Sequence, residues 1–106
     1  MISNEIINLI TGKLIQTYKP RALYIFGSHA WGDPQSSSDL DILILLNSST
    51  EKLCIRPRAG YRALRGIKVS KDILVYTIEE FNAMANDPSS LCHMIKTRGI
   101  KLYEAA

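Results

Sequence analysis

Two aspartates separated by a single leucine, Asp39 and Asp41, stand at the head of an apolar run from Ile42 to Leu46. In an extended chain, side chains alternate between faces, so Asp39 and Asp41 project together while Leu40 and Ile42 point the other way. Ionised carboxylates held side by side against an apolar strand repel one another and resist desolvation, and a divalent cation removes most of that cost. Mg2+ suits such all-oxygen donors and keeps positions open for water and phosphate oxygens. Upstream, Gly27-Ser28 closes a short apolar segment and leads into His29-Ala30-Trp31-Gly32. A strand that ends in Gly-Ser and turns into a short helix presents backbone N–H groups where anions bind. Gly27 lets a phosphate approach the backbone, and the Ser28 hydroxyl can donate one more hydrogen bond. Ser38, next to Asp39, is counted with Gly27 and Ser28 as a contact to that anion. The chemistry implied is a triphosphate cradled at one end and ligated through metal at the other.

A hydroxyl attacking phosphorus must be placed and relieved of its proton, which asks for a third carboxylate. Asp72 is the candidate, near the start of a strand on which Asp72, Leu74 and Tyr76 share a face. That strand must neighbour the one carrying Asp41.

The elements that position these residues are readable in outline. Ser3 caps a first helix with an apolar stripe at Ile6, Ile7, Ile10, Leu14, Ile15 and Tyr18, and Pro20 ends it. Ala22 to Phe26 is a short buried strand, residues 32–38 form a polar loop, and Leu40 to Leu46 is the second strand. Ser48 and Glu51 have capping-box spacing for a helix through Leu53, Cys54, Tyr61 and Leu64, which is kinked by Pro57 or begins afresh near Arg58. Val69 to Tyr76 is the third strand. Thr77-Ile78-Glu79-Glu80 is a capping box, with Tyr76 and Phe81 placed to staple the helix that follows. Asp87-Pro88 breaks that helix, a last one spans Ser89 to Arg98 with Gly99 as its left-handed cap, and Ile100 to Tyr103 adds an edge strand.

Composition bounds the class. With 106 residues, 46% apolar and 22% charged, the chain fits one soluble domain spanning 1–106. The longest apolar run falls far below the ~20 residues that cross a bilayer, and no leader precedes it, so no membrane partner and a cytoplasmic location are expected. Cys54 and Cys92 lack metal-ligand or disulfide spacing and read as reduced thiols, and His29 and His93 have no ligand grouping. The net charge of +3 leans towards a polyanionic ligand. The series Lys52, Arg56, Arg58, Arg62, Arg65, Lys68 and Lys71 could meet triphosphate, RNA or an acidic partner, or be a solvated face. Without interleaved aromatics it favours nucleic acid less.

A lone Asp-x-Asp before a strand is more often a solvated turn, and Asp72 alone could be a strand-end charge paired with Lys71 or Lys68. The combination changes the balance. Gly27-Ser28, ten intervening residues, Asp39-x-Asp41, and Asp72 in a later strand resemble the signature of the minimal nucleotidyltransferases, a small prokaryotic branch of the DNA polymerase β superfamily. The resemblance covers most of the chain. It implies a polymerase β-like α/β fold, a small mixed sheet flanked by helices. Two Mg2+ ions would lie on Asp39 and Asp41, with Asp72 placing and activating a hydroxyl as the third metal-site carboxylate. Gly27 and Ser28 would hold the phosphates of ATP. Trp31 departs from the pattern, since many relatives carry a basic residue before the second glycine.

The resemblance also implies a partner. Families of this size occur as antitoxins paired with a HEPN ribonuclease toxin, so the expected activity is transfer of AMP from ATP to a tyrosine of such a partner. The alternatives are a non-catalytic antitoxin binding module with a vestigial nucleotide site and, less favoured, a nucleotidyltransferase acting on a small-molecule antibiotic. A homo-oligomer is compatible with each.

Overall fold

The computed structural model describes residues 2–32 and 39–106. The chain runs α1 (Asn4–Tyr18), β1 (Ala22–Phe26), α2 (Ser28–Trp31), β2 (Leu40–Leu46), α3 (Pro57–Ala63), β3 (Lys71–Thr77), α4 (Ile78–Ala85), α5 (Leu91–Arg98) and β4 (Ile100–Glu104). The four strands form one mixed sheet in the order β3-β2-β1-β4. β1 is antiparallel to both β2 and β4, whereas β2 and β3 are parallel and joined by a crossover through α3.

Alternation along the strands divides the interior in two. Leu23, Ile25, Leu40, Ile42, Ile44, Ile73 and Val75 pack on one face against Ile10 and Leu14 of α1 and Leu64 just after α3. Phe26, Leu43 and Leu45 face the other way, against Phe81 and Ala85 of α4 and Cys92 and Ile95 of α5. Each fully buried Leu or Ile contributes about 1.5–3 kcal/mol. The helices form the two outer layers of an α/β sandwich, as the sequence pattern suggests.

Local signals account for most helix ends. The Ser3 hydroxyl accepts from the Ile6 N–H, and α1 ends at Lys19, whose φ of 48° is left-handed and whose N–H bonds the Ile15 carbonyl. Pro20 cannot continue it. The Thr77–Glu80 capping box is complete in both directions. Tyr76 packs against the cluster containing Phe81, but the ring stacked on Phe81 is that of Tyr24, with centroids 6.2 Å apart.

Two expectations fail. No capping box forms at Ser48 and Glu51; the Glu51 N–H bonds Ser49 Oγ, and a turn precedes α3, which starts at Pro57. Proline has no N–H to bond a preceding turn, so it opens a helix more readily than it continues one. Gly99 is also not left-handed: its φ is −71°, and it leads directly into β4. Its requirement is spatial, because a Cβ there would meet the Ile95 carbonyl oxygen at 2.5 Å and that of Ile25 at 3.2 Å. No helix among the described residues is long and apolar enough to cross a membrane, and both cysteines are free thiols.

Candidate active site

Three adjacent strands bring the chemically distinctive residues to one end of the sheet. Phe26, the last residue of β1, pairs with Asp41, and Asp41 pairs with Asp72 across the parallel ladder. Asp41 shares its face with Leu43 and Leu45, and Asp72 shares the same face with Leu74 and Tyr76. The two carboxylates are therefore neighbours on the side of α4 and α5. Asp39 precedes β2 and is exposed, as is Asp72, while Asp41 is half-buried.

The electrostatics record this crowding. Burial raises the Asp41 carboxyl above the ordinary carboxylate range, and the charges of Asp72 and Asp39 push it further. His29 lies close enough to act in the opposite direction.

Gly27 meets two constraints at once. Its φ of 76° and ψ of −157° lie where side chains are rarely tolerated, and an added Cβ would fall on the Asp41 carboxylate. The turn is thereby held directly against the acidic pair. Beyond it, the N–H groups of Ala30 and Trp31 return to the Gly27 carbonyl at 3.0 and 2.9 Å, starting the single turn that carries Ser28. N–H groups in a first helical turn have no intrahelical acceptor and can receive an anion. Ser38 lies outside the described residues.

Trp31 packs half-buried against the α4–α5 side core, under the Arg98 guanidinium at 5.5 Å from its ring. Its indole N–H is buried without a hydrogen-bond partner among the described residues. Trp31 thus fills space against this core, with one ring face covered by Arg98. His93 is a packing residue, its Nδ1 3.0 Å from the Ala85 carbonyl oxygen. Because that oxygen can only accept, Nδ1 carries the proton.

Among the described residues no lysine pairs with Asp72. Lys71 donates to the Ile67 carbonyl instead, at 3.1 Å, and the group on Asp72 is the Tyr61 hydroxyl, 3.3 Å from Oδ1. The same phenol oxygen accepts from the Ile73 N–H at 3.0 Å. Tyr61 of α3 thus covers the outer edge of β3 and restrains the aspartate beside it. In the sequence Tyr61 is only one position of a helical period, since nothing local marks a contact across the sheet edge.

Arg56 is a second residue that sequence reasoning misplaced, because it is 6% exposed rather than part of a solvated basic series. Its Nη1 lies 2.7 Å from Glu80 Oε1, and its Nε donates to the Glu51 carbonyl at 3.1 Å. It stands at the other end of β2 and β3, where a surface cavity of about 450 Å3 is lined by Asn47, Ser48, Thr77 and Glu79 among others.

No three His, Cys, Asp or Glu side chains among the described residues form a metal cage by themselves. A cation at the carboxylate end would need ligands beyond the described side chains. The donor set nevertheless fits a hard cation: a half-buried carboxylate is pressed by two others beside a turn suited to phosphate, and Mg2+ is commonly held by one or two carboxylates plus phosphate oxygens.

Comparison with known proteins bears on this arrangement. The family described as "Polymerase beta, Nucleotidyltransferase" matches residues 8–106. Among solved structures, a toxin–antitoxin crystallised with AMP-PNP is 23% identical at a TM-score of 0.69, covering 97% of this chain and 75% of that one. A candidate nucleotidyltransferase from Sulfolobus solfataricus is 20% identical at a TM-score of 0.67, covering 94% and 78%. A mutant of the toxin–antitoxin MntA-HpeT is 21% identical at a TM-score of 0.61, covering 99% and 75%. At these identities the likeness is one of fold. No curated protein matches the chain.

Proposed function

The chain belongs to the polymerase β nucleotidyltransferase family, and we propose that it transfers AMP from ATP to a tyrosine hydroxyl of a partner protein, a HEPN ribonuclease toxin, and thereby acts as its antitoxin. The observation that carries this reading is the strand register that sets Asp41 between the Gly27 turn and Asp72. One side of Asp41 is suited to phosphate and the other to an incoming hydroxyl. The likeness to a toxin–antitoxin crystallised with AMP-PNP supports the choice of nucleotide and partner class.

In this mechanism the Gly27 backbone and Ser28 hold the β and γ phosphates, and Ser38 adds a contact. Asp39, Asp41 and Asp72 would hold Mg2+, which when bound neutralises phosphate charge and favours the leaving pyrophosphate. Asp72 orients the acceptor hydroxyl and takes its proton. The hydroxyl oxygen bonds to the α-phosphorus, the bond from that phosphorus to the bridging oxygen breaks, and pyrophosphate departs with the bonding pair. Positioning supplies most of the acceleration.

The test uses α-labelled ATP, Mg2+ and the purified partner. Label should appear on the partner with the wild-type chain and vanish with Asp39→Asn. Transfer that survives Asp39→Asn sinks the mechanism. Protection of cells by Asp39→Asn/Asp41→Asn, with no label transferred by either protein, would leave a binding module in its place.

A further inference from the structure

Positive charge is concentrated beside Asp72. Residues 57–71 contain five basic side chains and no acidic one, so the rest of the chain, with eight basic against ten acidic side chains, carries a net charge of −2. Arg58, Arg62 and Arg65 recur at i, i+4 and i+7, and all three are exposed. Tyr61 occupies i+3 on that same face, and its hydroxyl is the one on Asp72. The arginine ridge therefore flanks the residue touching the carboxylate that would place the acceptor.

The ridge is not explained by the helix that carries most of it. Ion pairs among the described residues join Arg56 to Glu80 and Lys101 to Glu104, and none involves Arg58, Arg62, Arg65 or Lys68. Like charges four residues apart work against a helix. Arg58 in addition sits in the first turn of α3, which lacks an acidic residue and where the helix dipole disfavours a cation. β3 is the edge strand and α3 covers its outer side, so a macromolecule that brings a hydroxyl to Asp72 across this edge must lie against α3.

We propose that the ridge of Arg58, Arg62 and Arg65, extended by Lys68, is the surface on which an acidic face of the protein acceptor docks beside Asp72. The proposal rests on the transfer reading given above. Charge complementarity selects the partner's chemistry, and the aromatic residues select protein over single-stranded nucleic acid. Among the described residues of the ridge Tyr61 is the single aromatic ring, and Trp31 lies under Arg98. Surfaces that hold unpaired bases stack successive bases on several rings.

The test compares acceptors of defined charge. Tyrosine peptides flanked by Glu, Gln or Lys, and a uridine oligonucleotide with a free 3′ hydroxyl, are offered with α-labelled ATP and Mg2+; binding of each is followed separately by fluorescence anisotropy. The Glu-flanked peptide should exceed the Gln-flanked one about tenfold in kcat/KM at low salt, with most of that advantage screened at about 0.5 M salt. Arg58→Glu/Arg62→Glu/Arg65→Glu should reverse the order in favour of the Lys-flanked peptide while leaving ATP affinity unchanged. If circular dichroism shows that this variant is unfolded, the triple Arg→Gln variant is used and should lose the preference without reversing it. Ridge-dependent binding of the Glu peptide without transfer to any acceptor would support the docking surface and sink the transfer reading. Transfer indifferent to flanking charge would overturn the docking surface and leave that reading standing. Preferential, ridge-dependent use of the oligonucleotide, or loss of ATP binding on charge reversal, would also overturn it.

Discussion

The two ends of the β2–β3 pair treat charge in opposite ways. Where the strands begin, Asp41 and Asp72 are register neighbours and the Asp41 carboxyl is pushed up by burial and by its acidic neighbours. Where they finish, the Arg56 guanidinium is buried against Glu80, which a hydrogen bond from Arg56 and another from the Thr77 N–H hold at a pKa of about 2. One end keeps a repulsion that a ligand could relieve. The other satisfies its charges internally and ties α4 to the crossover. The same pair of strands thus separates the proposed binding region from a region of internal ion pairing, and substitutions at the two ends should diverge in kind as well as size.

The largest divergence is expected from Asp41→Asn. Labelled transfer should fall about 1,000-fold, since loss of the proposed metal ligand would remove several kcal/mol of transition-state stabilisation and each 1.4 kcal/mol is a factor of ten. The Tm of the metal-free protein should rise, because a repelled carboxylate has been removed. The sign follows from linkage: a raised carboxyl pKa means the folded state binds more protons, so wild-type stability falls as pH rises from the ordinary value of 3.8 through the folded one. Calorimetry across that range should show the variant's advantage shrinking on acidification. An advantage independent of pH would mean that neither burial nor the neighbouring carboxylates raise the Asp41 carboxyl.

Arg56→Ala should do the reverse. It should cost about 3 kcal/mol in urea unfolding, with nucleotide affinity unchanged below the Tm. Glu80→Gln should cost less, about 1–2 kcal/mol, because the Glu80 side chain is 39% exposed and solvent screens the pair. Its folded pKa is depressed from 4.5 to about 2, so the wild-type pair stabilises fully above 4.5 and loses that contribution as pH falls towards 2. The variant should lack this acid limb.

Tyr61→Phe should have the smallest effect and should blur the distinction between the ends. It removes the hydroxyl that bridges the β3 edge and Asp72. A stability loss of about 1 kcal/mol is expected for the bond. A fivefold or so fall in kcat is also expected, with little change in the KM for ATP, as Asp72 loses its restraint. Loss of stability alone would make Tyr61 purely a sheet-edge residue.

Most of the candidate site was legible because its signals are local. Alternation sets Asp41 on the opposite face from Leu40 and Ile42, as the core packing shows, and the Thr77–Glu80 spacing locates the start of α4. The β3 strand was expected from Val69 and observed from Lys71. The parts that escaped depend on tertiary neighbours. Arg56 reads like every other basic residue in its segment until Val75, Glu51 and Glu80 close around its guanidinium. Gly99 reads as a cap until the Ile95 and Ile25 carbonyls are seen beside it. Ser48 and Glu51 have the spacing of a cap but no helix to start, because Pro57 takes that role.

The parallel pairing of β2 with β3 also orders events in time. β1 and β2 are antiparallel and 13 residues apart, whereas β3 must return over the 24 residues of the α3 crossover before Asp72 reaches Asp41. Non-local pairings of this kind are slow steps in folding. A ribosome-bound chain that has exposed Gly27 and Asp41 therefore holds half of the proposed site, and the Asp41–Asp72 pair forms only when β3 has docked on β2.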